Sequence, residues 1–253
     1  MPKFAANLTM MFNEIPFMDR FKAAADAGFT GVEYLFPYDF SPEEIAGKLK
    51  EYGLTQALFN LPPGHWENGD RGMAAIPGRE DEFKKSVEQA ITYASKLSCK
   101  HVHAMSGLVQ QTDQSRATFV ANIKYACDAL APHGITLLIE PINARDMPGY
   151  FMNNTSLARD IIKEVGASNL ALQLDLYHCQ ITEGDLAVHI KDLKDITRHI
   201  QIAGVPERHE PDIGEINFPY LFELLDSIGY DGWIGCEYRP KNETTSGLGW
   251  MNS

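Results

Sequence analysis

The chain has 253 residues, 44% of them hydrophobic, and a formal net charge of −12, figures that suit an ordinary globular protein and match the size of one α/β barrel. No apolar stretch approaches the ~20 residues that a membrane-crossing helix needs, and the opening MPKFAANLTMMFNE lacks the apolar run of a secretory signal, so a cytoplasmic protein with no membrane partner is expected. Nucleic-acid binders draw most of their affinity from basic residues on phosphate; here there is no Lys/Arg run, and acidic runs stand at Glu43-Glu44 and Glu80-Asp81-Glu82, so no nucleic-acid partner is expected.

In chain order, an apolar β-rich run at 4–8 comes first, followed by a helical face of Phe17, Phe21, Ala24 and Ala25 that stops at Gly28. A strand over 31–36 precedes Ser41-Pro42-Glu43-Glu44, where an N-cap serine and a proline in the first turn open a second helix. A strand over 55–60 runs into the glycine-rich segment Asn60-Leu-Pro-Pro-Gly-His-Trp-Glu-Asn-Gly-Asp-Arg-Gly72, which reads either as a lid or as a loop packed on itself with Trp66 as anchor. Phe83, Val87, Ala90, Ile91 and Ala94 space a third helix, and Phe119, Ile123, Ala126 and Leu130 a fourth, on either side of a strand over 101–105. Strands over 136–141, 170–175, 199–202 and 233–238 then alternate with helices over 154–165, 185–193 and 218–228, and a short segment over 245–251 closes the chain. The aromatics near the end, Trp250 among them, are expected in the core or an interface.

Eight strands alternating with helices predict parallel βαβ units. The near-continuous apolar run Thr136-Leu137-Leu138-Ile139 suits a strand covered on both faces. The expectation is a closed (β/α)8 TIM barrel in a single domain over 1–253; an open doubly wound sheet is the alternative, disfavoured because Asn7-Leu8-Thr9-Met10 stands where a glycine-rich phosphate turn would follow the first strand. Cys99, Cys127, Cys179 and Cys236 form no CxxC pair, which argues for buried free thiols over a zinc knuckle or a disulfide framework.

Barrel enzymes take their catalytic groups from the carboxyl ends of the strands. The polar residues closing the eight strands are Asn7, Glu33, Asn60, His103 or Ser106, Glu140, Asp175, Gln201 and Glu237. Strand alternation puts Glu140 on the face of Leu138, Asp175 on that of Gln173 and Glu237 on that of Gly235. Three carboxylates then converge on one mouth, where they repel unless a cation is shared. With the amide oxygen of Gln201 they form an all-oxygen set suited to Mg²⁺ or Mn²⁺. The competing reading of each carboxylate is a rim residue paired with Arg or Lys. His178 falls in the loop above the expected metal, where it hydrogen-bonds a substrate oxygen or is merely structural. Arg208 either holds a substrate carboxylate or hydroxyl with its planar fork or pairs with Glu207 or Glu210 on the surface. Walker-type and GxGxxG phosphate loops and the GxSxG nucleophile elbow are absent from the sequence, which removes support for nucleotide chemistry and acyl transfer.

At these residues the chain resembles the hydroxypyruvate isomerase family of the xylose-isomerase-like barrels. The likeness spans nearly the whole sequence and rests on Phe4-Ala-Ala-Asn-Leu-Thr-Met-Met-Phe12, Gly31-Val-Glu-Tyr-Leu-Phe-Pro-Tyr38, Asn60-Leu-Pro, Ile76-Pro-Gly-Arg-Glu80, Leu138-Ile-Glu-Pro-Ile-Asn143, Asp175-Leu-Tyr-His178, Gly214-Glu-Ile-Asn217, Gly235-Cys-Glu-Tyr238 and Gly247-Leu-Gly-Trp-Met251. The opening and Thr55-Gln-Ala-Leu-Phe-Asn60 look slightly closer to the 2-oxo-tetronate isomerase branch. The resemblance implies acid–base glutamates at Glu140 and Glu237 and divalent metal ligands at Glu140, Asp175, Gln201 and Glu237. Glutamine at 201 replaces the histidine many such barrels carry, which implies a harder and weaker metal site. A small-molecule substrate is expected, a short hydroxy-oxo acid touched by His178, Arg208, Asn7 and Asn60, and a homo-oligomer is left open. The rival readings are a ketose 3-epimerase on the same barrel, a DNA endonuclease of the related barrel class, and a non-catalytic metal-binding barrel.

Overall fold

The computed structural model describes residues 2–252; Met1 and Ser253, the ends of the expected domain, lie outside the described residues. The strands are β1 (Lys3–Asn7), β2 (Gly31–Tyr34), β3 (Thr55–Asn60), β4 (His101–His103), β5 (Thr136–Ile139), β6 (Leu170–Asp175), β7 (Thr197–Ile202) and β8 (Trp233–Cys236). Each pairs in parallel with its neighbour in sequence, and β1 pairs with β8, so the sheet closes. The expected TIM barrel is present, and the open sheet is not.

The outer helices are α1 (Phe17–Asp26), α2 (Pro42–Tyr52), α3 (Glu80–Leu97), α4 (Asp113–Leu130), α5 (Thr155–Val165), α6 (Leu176–Thr182), α7 (Leu186–Leu193) and α8 (Phe218–Ser227). The α2 start follows the expected pattern: Ser41 and Glu44 bond each other's backbone N–H groups, and Pro42 fills a position whose N–H needs no partner. Strands β2, β4, β5 and β8 stop two residues short of the expected ends, so Glu140 and Glu237 stand just past their strands. Helix α6 was not expected. It is one short helix directly after β6, capped by Asp175, whose carboxylate accepts from Tyr177 N at 2.7 Å. His178 therefore sits in the first turn of a helix, not in a loop.

The main core lies between barrel and helices and includes Phe21, Val32, Phe119, Ile139, Leu172 and Phe218. Trp250 belongs to it, edge-on to Phe4, and all four cysteines are buried without disulfides. Inside the barrel a small apolar cluster of Leu58, Leu138 and Ala171 forms. Where such barrels usually pack branched apolar side chains, this one buries Glu33, Gln56, Gln173, His199 and Gln201. Among the described residues no helix is long and apolar enough to cross a membrane.

Candidate active site

The barrel's polar interior explains how the strand tips are held. The Glu33 carboxylate accepts from His199 Nε2 at 2.6 Å, Gln201 Nε2 at 2.8 Å and Asn7 Nδ2 at 3.0 Å. Gly235 makes room for it: a Cβ there would lie 2.2 Å from Glu33 Oε2. Asn7 Nδ2 also donates to Glu237 Oε1 at 3.2 Å, so the network reaches the mouth.

At the mouth, ligand-capable atoms of Glu140, Asp175, His178 and Glu237 all lie within 4.8 Å of one another, and all four residues are buried. Glu140 Oε1 and Asp175 Oδ2 have no hydrogen-bond partner among the described residues. Burial raises the Glu140 carboxyl well above the usual range, and the neighbouring Glu237 and Asp175 charges push it further. Burial also raises Glu237 and Asp175, with Arg208 pulling each partly back.

Arg208 is the counter-charge. Its Nη2 donates to Glu237 Oε2 and lies 3.5 Å from Asp175 Oδ2, its Nη1 is 3.5 Å from Asp146 Oδ2, and its Nε donates to the Glu237 carbonyl at 3.2 Å. The guanidinium stacks over Tyr177 at 4.8 Å. Burial opposes its charge, but the surrounding carboxylates outweigh that and raise its pKa. Neither expected use of Arg208 describes this arrangement fully: it faces the cavity, yet its partners are Glu237, Asp175 and Asp146, not Glu207 or Glu210. The Glu210 carboxylate is taken by Lys241 N.

His178 has a readable tautomer. Asn143 Oδ1 accepts from Asp146 N at 2.8 Å, which turns Asn143 Nδ2 toward His178 Nδ1 at 2.6 Å. Nδ1 is then the acceptor, and Nε2 carries the proton, 3.5 Å from Asp175 Oδ2 and 3.9 Å from Glu140 Oε1. Burial, reinforced by Arg208, lowers its pKa well below the ordinary value, so the ring is neutral. A neutral ring with its proton on Nε2 donates to an oxygen and does not ligate a metal through that nitrogen.

Gln201 is not among the carboxylates. Its oxygen accepts from Gln173 Nε2 at 2.6 Å and its nitrogen donates to Glu33, which engages the amide with the barrel interior. Asn60 lines the cavity, and its Oδ1 lies 3.3 Å from His103 Nδ1, which is also 3.6 Å from Glu140 Oε2. Burial lowers His103 to about 3, so it too is neutral. Ser106, the other polar residue expected to close β4, is structural: its Oγ accepts from Met152 N. Sequence reasoning gave no role to Asn143, Asp146 or His199. Their side chains meet His178, Arg208 and Glu33, 35 or more residues away in the chain, which no local pattern shows.

The cavity holds about 360 Å³ and is lined by Glu140, His178, Glu237 and Arg208 with Trp66, Arg71, Met105 and others. A separate cleft lies between α7 and α8 around Lys194 and Tyr230 and contains none of these groups.

The family model describing xylose isomerase-like TIM barrels matches residues 21–253. The chain is 56% identical over 255 residues to the 2-oxo-tetronate isomerase of Cupriavidus necator, covering 99% of this chain and 98% of that one. It is 45% identical to the hydroxypyruvate isomerase of Escherichia coli K12, covering 100% and 99%. A crystal structure described as AP endonuclease, family 2, from Brucella melitensis superposes with a TM-score of 0.98 at 56% identity, covering 100% of this chain and 98% of that one. By these likenesses and its own barrel, the chain belongs to the xylose isomerase-like TIM barrels and, within them, to the hydroxypyruvate and 2-oxo-tetronate isomerases, and it is an isomerase of that type.

Proposed function

We propose that this isomerase moves a carbonyl between adjacent carbons of a three- or four-carbon 2-oxo hydroxy acid, hydroxypyruvate to tartronate semialdehyde or 2-oxo-tetronate to 3-oxo-tetronate. The observation that carries the reading is the pair Glu140 and Glu237, buried together at the cavity mouth with both carboxyls raised. A carboxylate set against a substrate carbon takes a proton, and the acid so formed returns one. The reaction needs that twice. One glutamate removes the proton from the hydroxyl-bearing carbon next to the carbonyl, and the other delivers a proton to the former carbonyl carbon. The hydroxyl proton passes between the two substrate oxygens, and His178 Nε2–H is aimed to hydrogen-bond one of them. Asn7 and Arg208 act through Glu237, fixing its two oxygens, and Asn60 borders the cavity beside His103.

The donor set fits a divalent metal. Two buried oxygens that accept no hydrogen bond among the described residues, Glu140 Oε1 and Asp175 Oδ2, stand beside Glu237, and hard oxygens favour Mg²⁺ or Mn²⁺. Glu140, Asp175 and Glu237 would hold it, and Gln201 would add an oxygen only by sharing the one that Gln173 already binds. Such an ion supplies Lewis-acid polarisation of the substrate carbonyl. The acidic net charge of −12 disfavours DNA as a substrate.

Glu140→Gln and Glu237→Gln are each expected to lower kcat on hydroxypyruvate by about 10²–10⁴-fold with the circular dichroism spectrum unchanged. Near-normal turnover in either variant removes that residue as a proton carrier. Turnover of a free ketohexose with return of the proton to the same carbon, and none of hydroxypyruvate, replaces the reading by 3-epimerisation.

A further inference from the structure

We infer that Arg71 binds the carboxylate of the substrate and is the residue that makes this site select 2-oxo acids over neutral ketoses. The inference rests on the proposed reaction and adds to it the group that recognises the charge.

A bound 2-oxo acid brings an anion into a mouth already crowded with carboxylates. Arg208 does not meet that need, because Glu237, Asp175 and Asp146 already share its guanidinium. Two other arginines line the cavity, Arg71 and Arg239. Arg239 is exposed, where water screens its charge. Arg71 is half-buried, and among the described residues no carboxylate pairs with it. Its Nη1 donates to two backbone carbonyls, Trp66 O at 3.1 Å and Asp70 O at 2.7 Å. Its guanidinium carbon lies over the Trp66 ring, 3.9 Å from the centroid. A guanidinium has five N–H donors in one plane; these contacts use one nitrogen, which leaves Nε and Nη2 to make a bidentate bond with a carboxylate.

The segment that carries Arg71 is built to hold it still. Asp70 accepts from His65 N at 2.7 Å and pairs with Arg79 at 2.8 Å. Gly72 N donates to Pro63 O at 3.0 Å, and Gly72 has φ +97°, pressed so closely on β4's exit that a Cβ would lie 2.2 Å from Met105 O. The Trp66 ring meets Phe36 edge-on at 5.1 Å. The loop is therefore packed on itself with Trp66 as anchor, one of its two expected forms. It holds a cation by stacking and carbonyl dipoles, so that cation keeps its charge for a ligand.

Dihydroxyacetone is hydroxypyruvate with the carboxylate replaced by a hydroxymethyl group, so it isolates the effect of the charge. Steady-state kinetics on wild type, Arg71→Gln and Arg71→Lys with both compounds test the inference. Arg71→Gln is expected to raise KM for hydroxypyruvate by about 10–100-fold, as loss of a charge-assisted bidentate bond does, with kcat changed far less. Turnover of dihydroxyacetone is expected to stay within about twofold of wild type, and Arg71→Lys to recover part of the loss because it restores charge without the fork. That second substrate also guards against misfolding, since a collapsed site loses both activities. If wild type turns over hydroxypyruvate and Arg71→Gln keeps its KM, or if Arg239→Gln shows the larger loss, Arg71 is not the anchor and the proposed reaction stands. If wild type turns over dihydroxyacetone alone, the reading of the substrate as an acid fails, and the inference fails with it.

Discussion

Removing the Glu33 carboxylate tests whether the polar barrel interior is a scaffold for the site. Glu33 is fully buried and accepts from His199, Gln201 and Asn7 at once. Glu33→Ala leaves three buried donors without an acceptor, each at a cost of about 1–3 kcal/mol. It also opens a small cavity, but the walls are polar, so water enters and returns part of the loss. The net expectation is a destabilisation of about 4 kcal/mol, or a fall in Tm of about 8–16 °C for a chain of this size. Glu33→Gln keeps the shape. Its oxygen accepts from Gln201 and Asn7, and its NH₂ donates to His199 Nε2 once that ring carries its proton on Nδ1, an atom with no partner among the described residues. Nδ1 stays the unpartnered ring nitrogen, changed only from acceptor to donor, and the loss stays within about 1.5 kcal/mol. Urea unfolding of both variants reads this directly as a shift in midpoint at constant slope. The reasoning is refuted if Glu33→Ala unfolds within about 1 kcal/mol of wild type, or if the glutamine variant is as damaged as the alanine one.

Two further outcomes follow from the mouth itself. Glu140, Asp175 and Glu237 have raised pKa values in the fold, so above the ordinary carboxyl range the folded state holds more protons than the unfolded one and stability falls as pH rises through the raised values. A divalent ion holds the ionised forms, so Mn²⁺ added to chelator-treated protein is expected to raise Tm more at about pH 8 than at about pH 5; an equal shift, or none, at both pH values removes the three carboxylates as its site. Asn143→Asp replaces the donor on His178 Nδ1 by an acceptor and moves the ring proton away from Nε2. The expected result is a fall in kcat of about 10–100-fold, the usual cost of losing such a supporting contact, in a protein that melts normally, and unchanged kcat removes His178 as a donor in the reaction.

Much of this was legible because barrel geometry turns sequence position into spatial position. Strand alternation sufficed to bring Glu140, Asp175 and Glu237 to one mouth, since Asp175 ends its strand and the two glutamates stand just past theirs. Gln201 follows the same rule: its Cα pairs with Asp175 on one side and Gly235 on the other. Its amide nevertheless serves the interior, because Gly235 has no side chain and Glu33 enters from β2 to fill the space. That contact joins residues 168 apart, and no local pattern encodes it. Helix α6 was hidden for a different reason. Seven residues are too few to show a period, and its start is set by Asp175, which serves both as cap and as a member of the site.

The same contrast accounts for Arg208. Its backbone lies in the left-handed region, at φ +62°, a conformation that costs an ordinary residue energy and persists only where the surroundings impose it. Here they do: Gly204 N donates to His209 O, Arg208 N donates to Gly204 O, and a Cβ on Gly204 would fall 2.0 Å from Ile213 O. A loop closed this tightly fixes the direction in which position 208 leaves the chain, which is across the mouth toward β6 and β8. The side chain placed there must bond Glu237 through its carboxylate and its carbonyl while facing Asp175 and Asp146. A planar fork with separated donors meets all four, whereas a single ammonium group meets one or two. Arginine at 208 is thus required by the geometry of the carboxylates it neutralises.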